Sequence, residues 1–385
     1  MAVTFDPASV IDLTRDLIQL RSVNPPGDEQ PVAELLAGVM ESYGLEVEVQ
    51  VLAENRANVI GRLRGTGTGH LVLTGHLDVV PPGEQAWRHD PFGGEEEDGR
   101  LFGRGSADMK GGVAAMVTAA GLLARDGFKP KADLIVATTA GEEAGMLGAK
   151  AMVERASLAG SAYLVVGEPT DLDVFIAEKG VLWVRVKAFG RTAHGSMPHL
   201  GANAISVLAR LIPPLEEYPF TFDEHPLLGS PTFGANVIRG GNKTNVVPDY
   251  AEVELDLRTV PGQDHEDMIA KIRSMAEEAA AEVPGEIRIE VEAFNDKGPV
   301  ETAAEEELVT ATVAAVGDVR GQEPFVGGVP YGTDAAFLGP GFGIPMVICG
   351  PGAQGMAHQP DESVETNQLV QAVDIYRDIA RRLLG

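Results

Sequence analysis

Two polar residues close the apolar run LVLTGHLDVV at residues 71–80: His76 and Asp78. Two positions apart in an extended chain, they point to the same face of the strand. Near a core each needs a partner, because an unpaired polar group there is costly. Either they satisfy each other, or they face something that needs both an imidazole and a carboxylate. The same question recurs along the chain. Asp108 lies in LFGRGSADMKGG, Glu142 and Glu143 in TTAGEEAGMLGA, Glu168 in VVGEPT and His358 in GAQGMAHQPDE. Crowded carboxylates repel and raise one another's pKa unless cations hold them. A mixed set of His and carboxylate ligands suits zinc, with cobalt or manganese as further candidates. Each residue also has an ordinary explanation by itself. A GHxD pair can be a satisfied hydrogen bond at a strand end, and Asp108 can cap the helix after it. Glu142 and Glu143 can be a solvated loop, Glu168 a surface residue before Pro169, and His358 a loop histidine.

The elements that must position these residues read as α/β. Strands are expected at 71–76, 133–140 and 162–168, with an alanine-rich helix at 110–127 between two of them. Each strand runs straight into candidate ligands, and ligands collect at the carboxyl ends of strands in open α/β sheets. From about residue 179 the pattern changes. A strand at 180–190, a helix at 202–217, strands at 232–240 and 250–259, a helix at 265–283 and a strand at 286–294 give a β-α-β-β-α-β order, the split ferredoxin-like pattern. The α/β texture then returns with a helix at 303–316, the strand PMVICG and a helix at 365–383. The expected architecture is a larger catalytic α/β domain (1–178 and 295–385) with a central mixed, mostly parallel sheet, and a smaller inserted ferredoxin-like α+β lid or dimerisation domain (179–294).

Composition narrows the function. At 385 residues the chain exceeds one ordinary core, and 44% hydrophobic with 23% charged residues is a globular balance. A net charge of −27 argues against nucleic acid and against anionic membrane. The only cysteine, Cys349, rules out an intrachain disulfide or a thiolate zinc cluster and reads as a small buried hydrophobe. The first twenty residues read as an amphipathic helix with Val10, Leu13, Leu17 and Leu20 on one side, not as a secretory signal. With no stretch approaching a transmembrane span, the expected location is cytoplasmic.

The motifs GHLDVVP (75–81), GRGSADMKGG (103–112), GEEAG (141–145), GEPT (167–170), GRTAHGS (190–196), DLRTVPG (256–262) and MAHQPDE (356–362) occur together in this order. Together the set resembles a zinc-dependent amidohydrolase and peptidase family that includes acetylornithine deacetylase, succinyl-diaminopimelate desuccinylase, aminoacylase and glutamate carboxypeptidase. The resemblance spans both expected domains. It implies two divalent ions held by His76, Asp108, Glu143, Glu168 and His358: His76 and Glu168 on one, Glu143 and His358 on the other, Asp108 bridging. Asp78 would hold the His76 imidazole in its tautomer and orientation. With Glu143 on a metal, Glu142 would face the water between the ions and act as general base.

The resemblance also implies roles in the insert. His194 would bind the oxyanion, often reaching a partner subunit's site, although a surface histidine in a polar turn is the ordinary reading. Arg258, with Asn245, would hold a substrate carboxylate, although Arg258 could instead pair with Asp256 or Glu254. The Gly332–Thr333 backbone could supply further N–H donors, and a cis peptide is implied between Asp108 and Met109. Where desuccinylases carry a Ser-Asp-Gly run this chain has GTDAAF, which is closer to the carboxypeptidase branch. The leading expectation is a zinc-dependent hydrolase of carbon–nitrogen bonds, acting as a homodimer on an N-acyl amino acid. A carboxypeptidase or dipeptidase of the same family is the alternative. A non-catalytic metal-dependent binding protein would not need Glu142 beside Glu143, and a dinucleotide enzyme lacks its GxGxxG after the first strand.

Overall fold

In the run LVLTGH every residue from Leu71 to His76 is buried. A strand with no polar side to show water belongs in the middle of a sheet covered on both faces. The computed structural model describes residues 6–218, 220 and 224–385 and divides into two compact units. The first comprises the chain up to Ala177, Glu301–Gly327 and Thr333–Gly385; the second comprises Glu178–Val300 and Gly328–Gly332.

In the first unit the strand His70–His76 lies between Leu134–Thr139 and Ser161–Val166 and is parallel to both. Met346–Ile348 continues the parallel run beside Ser161–Val166. The hairpin Glu46–Ala53 and Arg56–Leu63 adds an antiparallel edge against Leu134–Thr139. The mixed, mostly parallel sheet is therefore as expected, but the hairpin is new. EVEVQVLA alternates, yet its only fully buried residue is the polar Gln50, so this strand is held by pairing more than by an apolar face. Asn55, at φ 57°, makes the turn, a conformation that asparagine tolerates.

The helix Gly111–Arg125 is buried from Gly111 to Leu123 and packs against the helices Ala8–Gln19 and Thr366–Leu384. Its small side chains let its backbone press onto the sheet. A Cβ on Gly112 would lie 2.2 Å from the carbonyl oxygen of Gly167, the residue before Glu168. The helix expected at 303–316 runs instead over Glu307–Arg320. Thr302 is tied to the strands, its N–H bonding Ile176 O at 2.8 Å and its hydroxyl accepting from Met346 N–H at 2.9 Å, so the helix starts later. Gly321, at φ 70°, ends it.

The second unit is a four-stranded antiparallel sheet in the order Thr232–Gly240, Tyr250–Thr259, Gly180–Phe189, Arg288–Lys297. Period-2 alternation sends Val184, Val186, Val253 and Leu255 into a core with Val207, Leu208 and Leu211 of the helix Ala204–Glu217 and Ile272 of the helix His265–Ala281. Asn203 and Asp264 cap these helices by accepting N–H groups of their first turns. The element order is β-α-β-β-α-β. No helix among the described residues is long and apolar enough to cross a membrane.

Gly112→Ala should destabilise the first unit. Overpacking costs about 1–3 kcal/mol, which exceeds the ~1 kcal/mol that alanine gains over glycine in a helix. Urea denaturation should show the midpoint falling; an unchanged or higher midpoint would mean that the helix does not rest on the Gly167 carbonyl.

Candidate metal centre

Parallel neighbours end on the same edge of a sheet, so the residues after them meet. His76 is the last residue of its strand, Glu142 and Glu143 follow Leu134–Thr139, and Glu168 follows Ser161–Val166. Asp108 comes from the turn before the buried alanine-rich helix, and its peptide bond to Met109 is cis. His358, at φ 63°, comes from the loop before the last helix.

Two groups of side chains form there, and they share Asp108. His76, Asp108 and Glu168 make one; Asp108, Glu143 and His358 make the other, and in each group the donor atoms lie within 4.8 Å of one another. His76 Nε2 is 2.9 Å from Asp108 Oδ1 and 3.6 Å from Glu168 Oε1. His358 Nε2 is 3.2 Å from Glu143 and 3.4 Å from Asp108 Oδ2. Either group could hold a metal ion.

The electrostatics fit a cation. Burial, and then the Asp108 charge, push Glu168 well above the usual carboxylate range. Burial opposes charge on His76, but Glu168, Asp108 and Asp78 outweigh it and raise its pKa well above the ordinary histidine value. Asp108 is pushed up by burial but pulled below its usual range by the His76 hydrogen bond and charge. The hydrogen bond to Glu143 raises His358 against its partial burial. These shifts favour protons on Glu168, His76 and His358, and a divalent cation on the same donors would displace them.

Asp78 meets His76 through its main chain. The atom that fixes His76 is its main-chain carbonyl, 2.9 Å from Nδ1, which leaves Nε2 pointing to Asp108. Its carboxylate stands 3.7 Å from Nδ1 and instead gathers a loop. Oδ1 accepts from Gly141 N–H and Glu142 N–H, each at 3.0 Å, and Oδ2 from Glu143 N–H at 3.1 Å and Asn24 Nδ2 at 2.8 Å. One residue thereby aims the histidine and pins the adjacent glutamates.

Several supporting residues were not singled out from the sequence. Glu362, inside the motif MAHQPDE, is fully buried against Arg104 and accepts from the N–H groups of Gly105, Ala107 and Asp108 at 3.0, 3.1 and 3.0 Å. Burial and the Asp108 charge push its pKa up to about 7. Lys110 is buried too, donating to Leu17 O and Leu20 O at 2.8 and 2.7 Å, where burial lowers its pKa to about 7. Thr139 donates its hydroxyl proton to Asp334. Cys349 is buried, and burial pushes its thiol up to about 12, so it is an inert packing residue.

The other expected site residues divide between the units. His194, Asn245, Arg258 and Gly332 belong to the second unit and Thr333 to the first. The His194 loop is zipped to the Asn245 loop, with Gly195 N–H bonding Asn245 O at 2.8 Å and Val247 N–H bonding Ala193 O at 2.9 Å. His194 Nδ1 accepts from Ser196 N–H at 3.2 Å and lies 2.7 Å from the Ser196 hydroxyl oxygen. Arg258 pairs with Asp256 through Nε at 2.9 Å and Nη2 at 3.1 Å, the ordinary alternative that its sequence neighbours allowed. Thr333 is buried at the start of the helix Ala335–Phe342, its hydroxyl accepting from Ala335 N–H at 3.1 Å.

Comparison with known proteins identifies the class. The profile of Peptidase family M20/M25/M40 matches residues 72–382. A probable succinyl-diaminopimelate desuccinylase of Staphylococcus aureus (strain N315) is 29% identical over 99% of both chains. An acetylornithine deacetylase of Vibrio atlanticus (strain LGP32) is 30% identical over 97% of this chain and 98% of its own. Among solved structures, aminopeptidase PepT from Bacillus cereus ATCC 10987 superposes with a TM-score of 0.80 at 23% identity, covering 98% of this chain and 99% of its own. The M20 family metallo-carboxypeptidase Sso-CP2 from Sulfolobus solfataricus reaches 0.79 at 19% identity with the same coverage. The site thus sits in the scaffold of a metal-dependent hydrolase of amide bonds. The chain belongs to Peptidase family M20/M25/M40, as its motifs led us to expect.

Asp78→Asn should loosen the Gly141–Glu143 loop, because an amide NH2 would then face main-chain N–H groups. Leaving buried donors unpaired costs about 1–3 kcal/mol. Urea denaturation of metal-stripped protein should show this loss, and wild-type stability would contradict the anchoring role.

Proposed function

We propose that this chain is a dinuclear-metal amidohydrolase that removes the acyl group of N-acyl amino acids. The observation that carries this reading is the pair of donor groups sharing Asp108, with Glu142 beside Glu143 in the chain. In it, His76, Asp108 and Glu168 would hold one ion and Asp108, Glu143 and His358 the other. Mixed nitrogen and oxygen donors favour zinc, with cobalt or manganese as alternatives. The negative charges of Asp108, Glu142, Glu143 and Glu168 together balance two divalent cations.

Bound ions would supply Lewis acidity, lowering the pKa of a water and polarising the scissile carbonyl. The remaining work falls to side chains. Glu142 takes a proton from the attacking water and passes it to the nitrogen of the leaving amine. Asp78 keeps Glu142 in place through the loop it gathers. His194 donates its Nε2 proton in a hydrogen bond to the developing oxyanion, in its own or a partner subunit's site, where such a donor contributes about 3–4 kcal/mol. Asp256 occupies the Nε–Nη2 edge of Arg258, and the Nη1 end, with Asn245, receives the substrate carboxylate. Gly332 and Thr333 add main-chain donors, and the second unit serves as lid and homodimer interface.

The names of the Staphylococcus and Vibrio relatives support a deacylase. The GTDAAF run at 332–337 supports a second reading, a metallo-carboxypeptidase or dipeptidase. Metal-stripped protein reloaded with zinc, cobalt or manganese should be assayed on N-acetyl, N-succinyl and N-formyl amino acids beside simple dipeptides. Faster hydrolysis of an N-acyl amino acid is expected. Turnover of dipeptides alone would select the second reading, and no turnover of either would overturn both. Glu142→Gln should keep its metal and lose about 100- to 10,000-fold in kcat; wild-type kcat would remove Glu142 as the base.

A further inference from the structure

The His358 loop has little holding it from below. His76 ends a buried strand, and Glu143 sits in a loop that Asp78 pins, but His358 is half-exposed, in left-handed backbone, beyond the reach of the sheet. What ties this loop down is four residues further on. The strand Ser363–Glu365 pairs antiparallel with Arg100–Phe102, with Ser363 opposite Phe102. That register brings Glu362 beside Gly103, whose N–H bonds the Glu362 carbonyl at 2.8 Å, and just ahead of the turn that carries Asp108.

The Glu362 carboxylate then does two things at once. Oε1 accepts from the N–H groups of Gly105, Ala107 and Asp108, at 3.0, 3.1 and 3.0 Å. Oε2 meets Nη1 of the buried Arg104, and the same Nη1 reaches the main-chain oxygen of Gln359, next to His358, at 3.4 Å. Trp87 lies against Arg104, with the guanidinium carbon 5.1 Å from its ring centre. Asp361 extends the tie, accepting from Arg88 N–H and Nε at 2.7 and 2.9 Å and from His89 N–H at 3.3 Å. The segments 87–89 and 103–108 are therefore tied to the distant segment 359–363 around one buried ion pair. A side chain on one segment that accepts the N–H groups of another fixes their spacing.

We propose that Glu362, through Arg104, is a positioning residue that sets the separation of His358 from Asp108 and thereby the affinity of the site for its second ion. The inference rests on the two-ion reading above. Asp108 is common to both ions and its N–H keeps an acceptor in Glu362→Gln, while ion one also has His76 and Glu168 at strand ends. Ion two depends on His358, whose loop Glu362 and Arg104 hold. The two binding steps must therefore respond unequally.

The test is zinc titration of metal-stripped protein by calorimetry, with the bound zinc counted by mass spectrometry. Wild type should bind two ions; if it binds fewer, the two-ion reading fails before the inference is reached. Glu362→Gln keeps an acceptor for the N–H groups but turns its NH2 toward the guanidinium. It should weaken the second ion by about 10- to 100-fold, the usual effect of removing an outer-shell partner, with the first within threefold of wild type. Equal weakening of both steps, or of neither, would overturn the proposal, because a merely structural carboxylate would not distinguish them. If Glu362→Gln does not fold cooperatively, Arg104→Lys decides. It keeps the charge and breaks the reach to Gln359, so the second ion alone should weaken by at least about threefold. An unchanged second step in that variant overturns the proposal.

Discussion

Repulsion among carboxylates at the carboxyl ends of buried parallel strands is the constraint on which this structure turns. Asp108, Glu143 and Glu168 are drawn together where water is scarce and each charge is felt strongly by the others. Burial and the Asp108 charge force Glu168 far above its ordinary pKa, while, against the effect of burial, Glu168, Asp108 and Asp78 raise His76 well above its own. His76 and His358 compensate part of that charge, and buried carboxylates left without a partner are destabilising. The arrangement makes sense as a receptor for positive charge, and perturbed groups of this kind concentrate at functional sites.

The scaffold resists that repulsion with carboxylates that bind backbone. Asp78 gathers the N–H groups of residues 141–143, and Glu362 gathers those of Gly105, Ala107 and Asp108. Charge-assisted bonds of this type are roughly twice as strong as neutral ones. They fix loops that have little regular structure of their own, so their positions are set without competing for the donor atoms of the centre. Tight packing behind them, as where Gly112 meets the Gly167 carbonyl, transmits the position of the sheet to Glu168.

Much of this is legible in the sequence. The apolar run LVLTGH announces a buried strand, and its polar end announces a site, because a polar residue in that place needs a reason. The motif order led to the family that the profile of residues 72–382 establishes. Other features were hidden for physical reasons. The partners of Glu362 depend on the register of Ser363–Glu365 against Arg100–Phe102, and register is a tertiary property. The carbonyl of Asp78 is invisible in a sequence because every residue has one. The strand Glu46–Ala53 buries too little apolar surface to stand out. Arg258 beside Asp256 was ambiguous in sequence, and the ion pair it forms is the local solution that two positions' spacing on one strand face allows.

The most direct test of the central claim is anomalous diffraction from crystals grown with zinc. The account predicts two peaks about 3.5–4 Å apart, with Asp108 between them, one bonded to His76 and Glu168 and the other to Glu143 and His358. A single peak, or peaks that leave Asp108 uncoordinated, would contradict it.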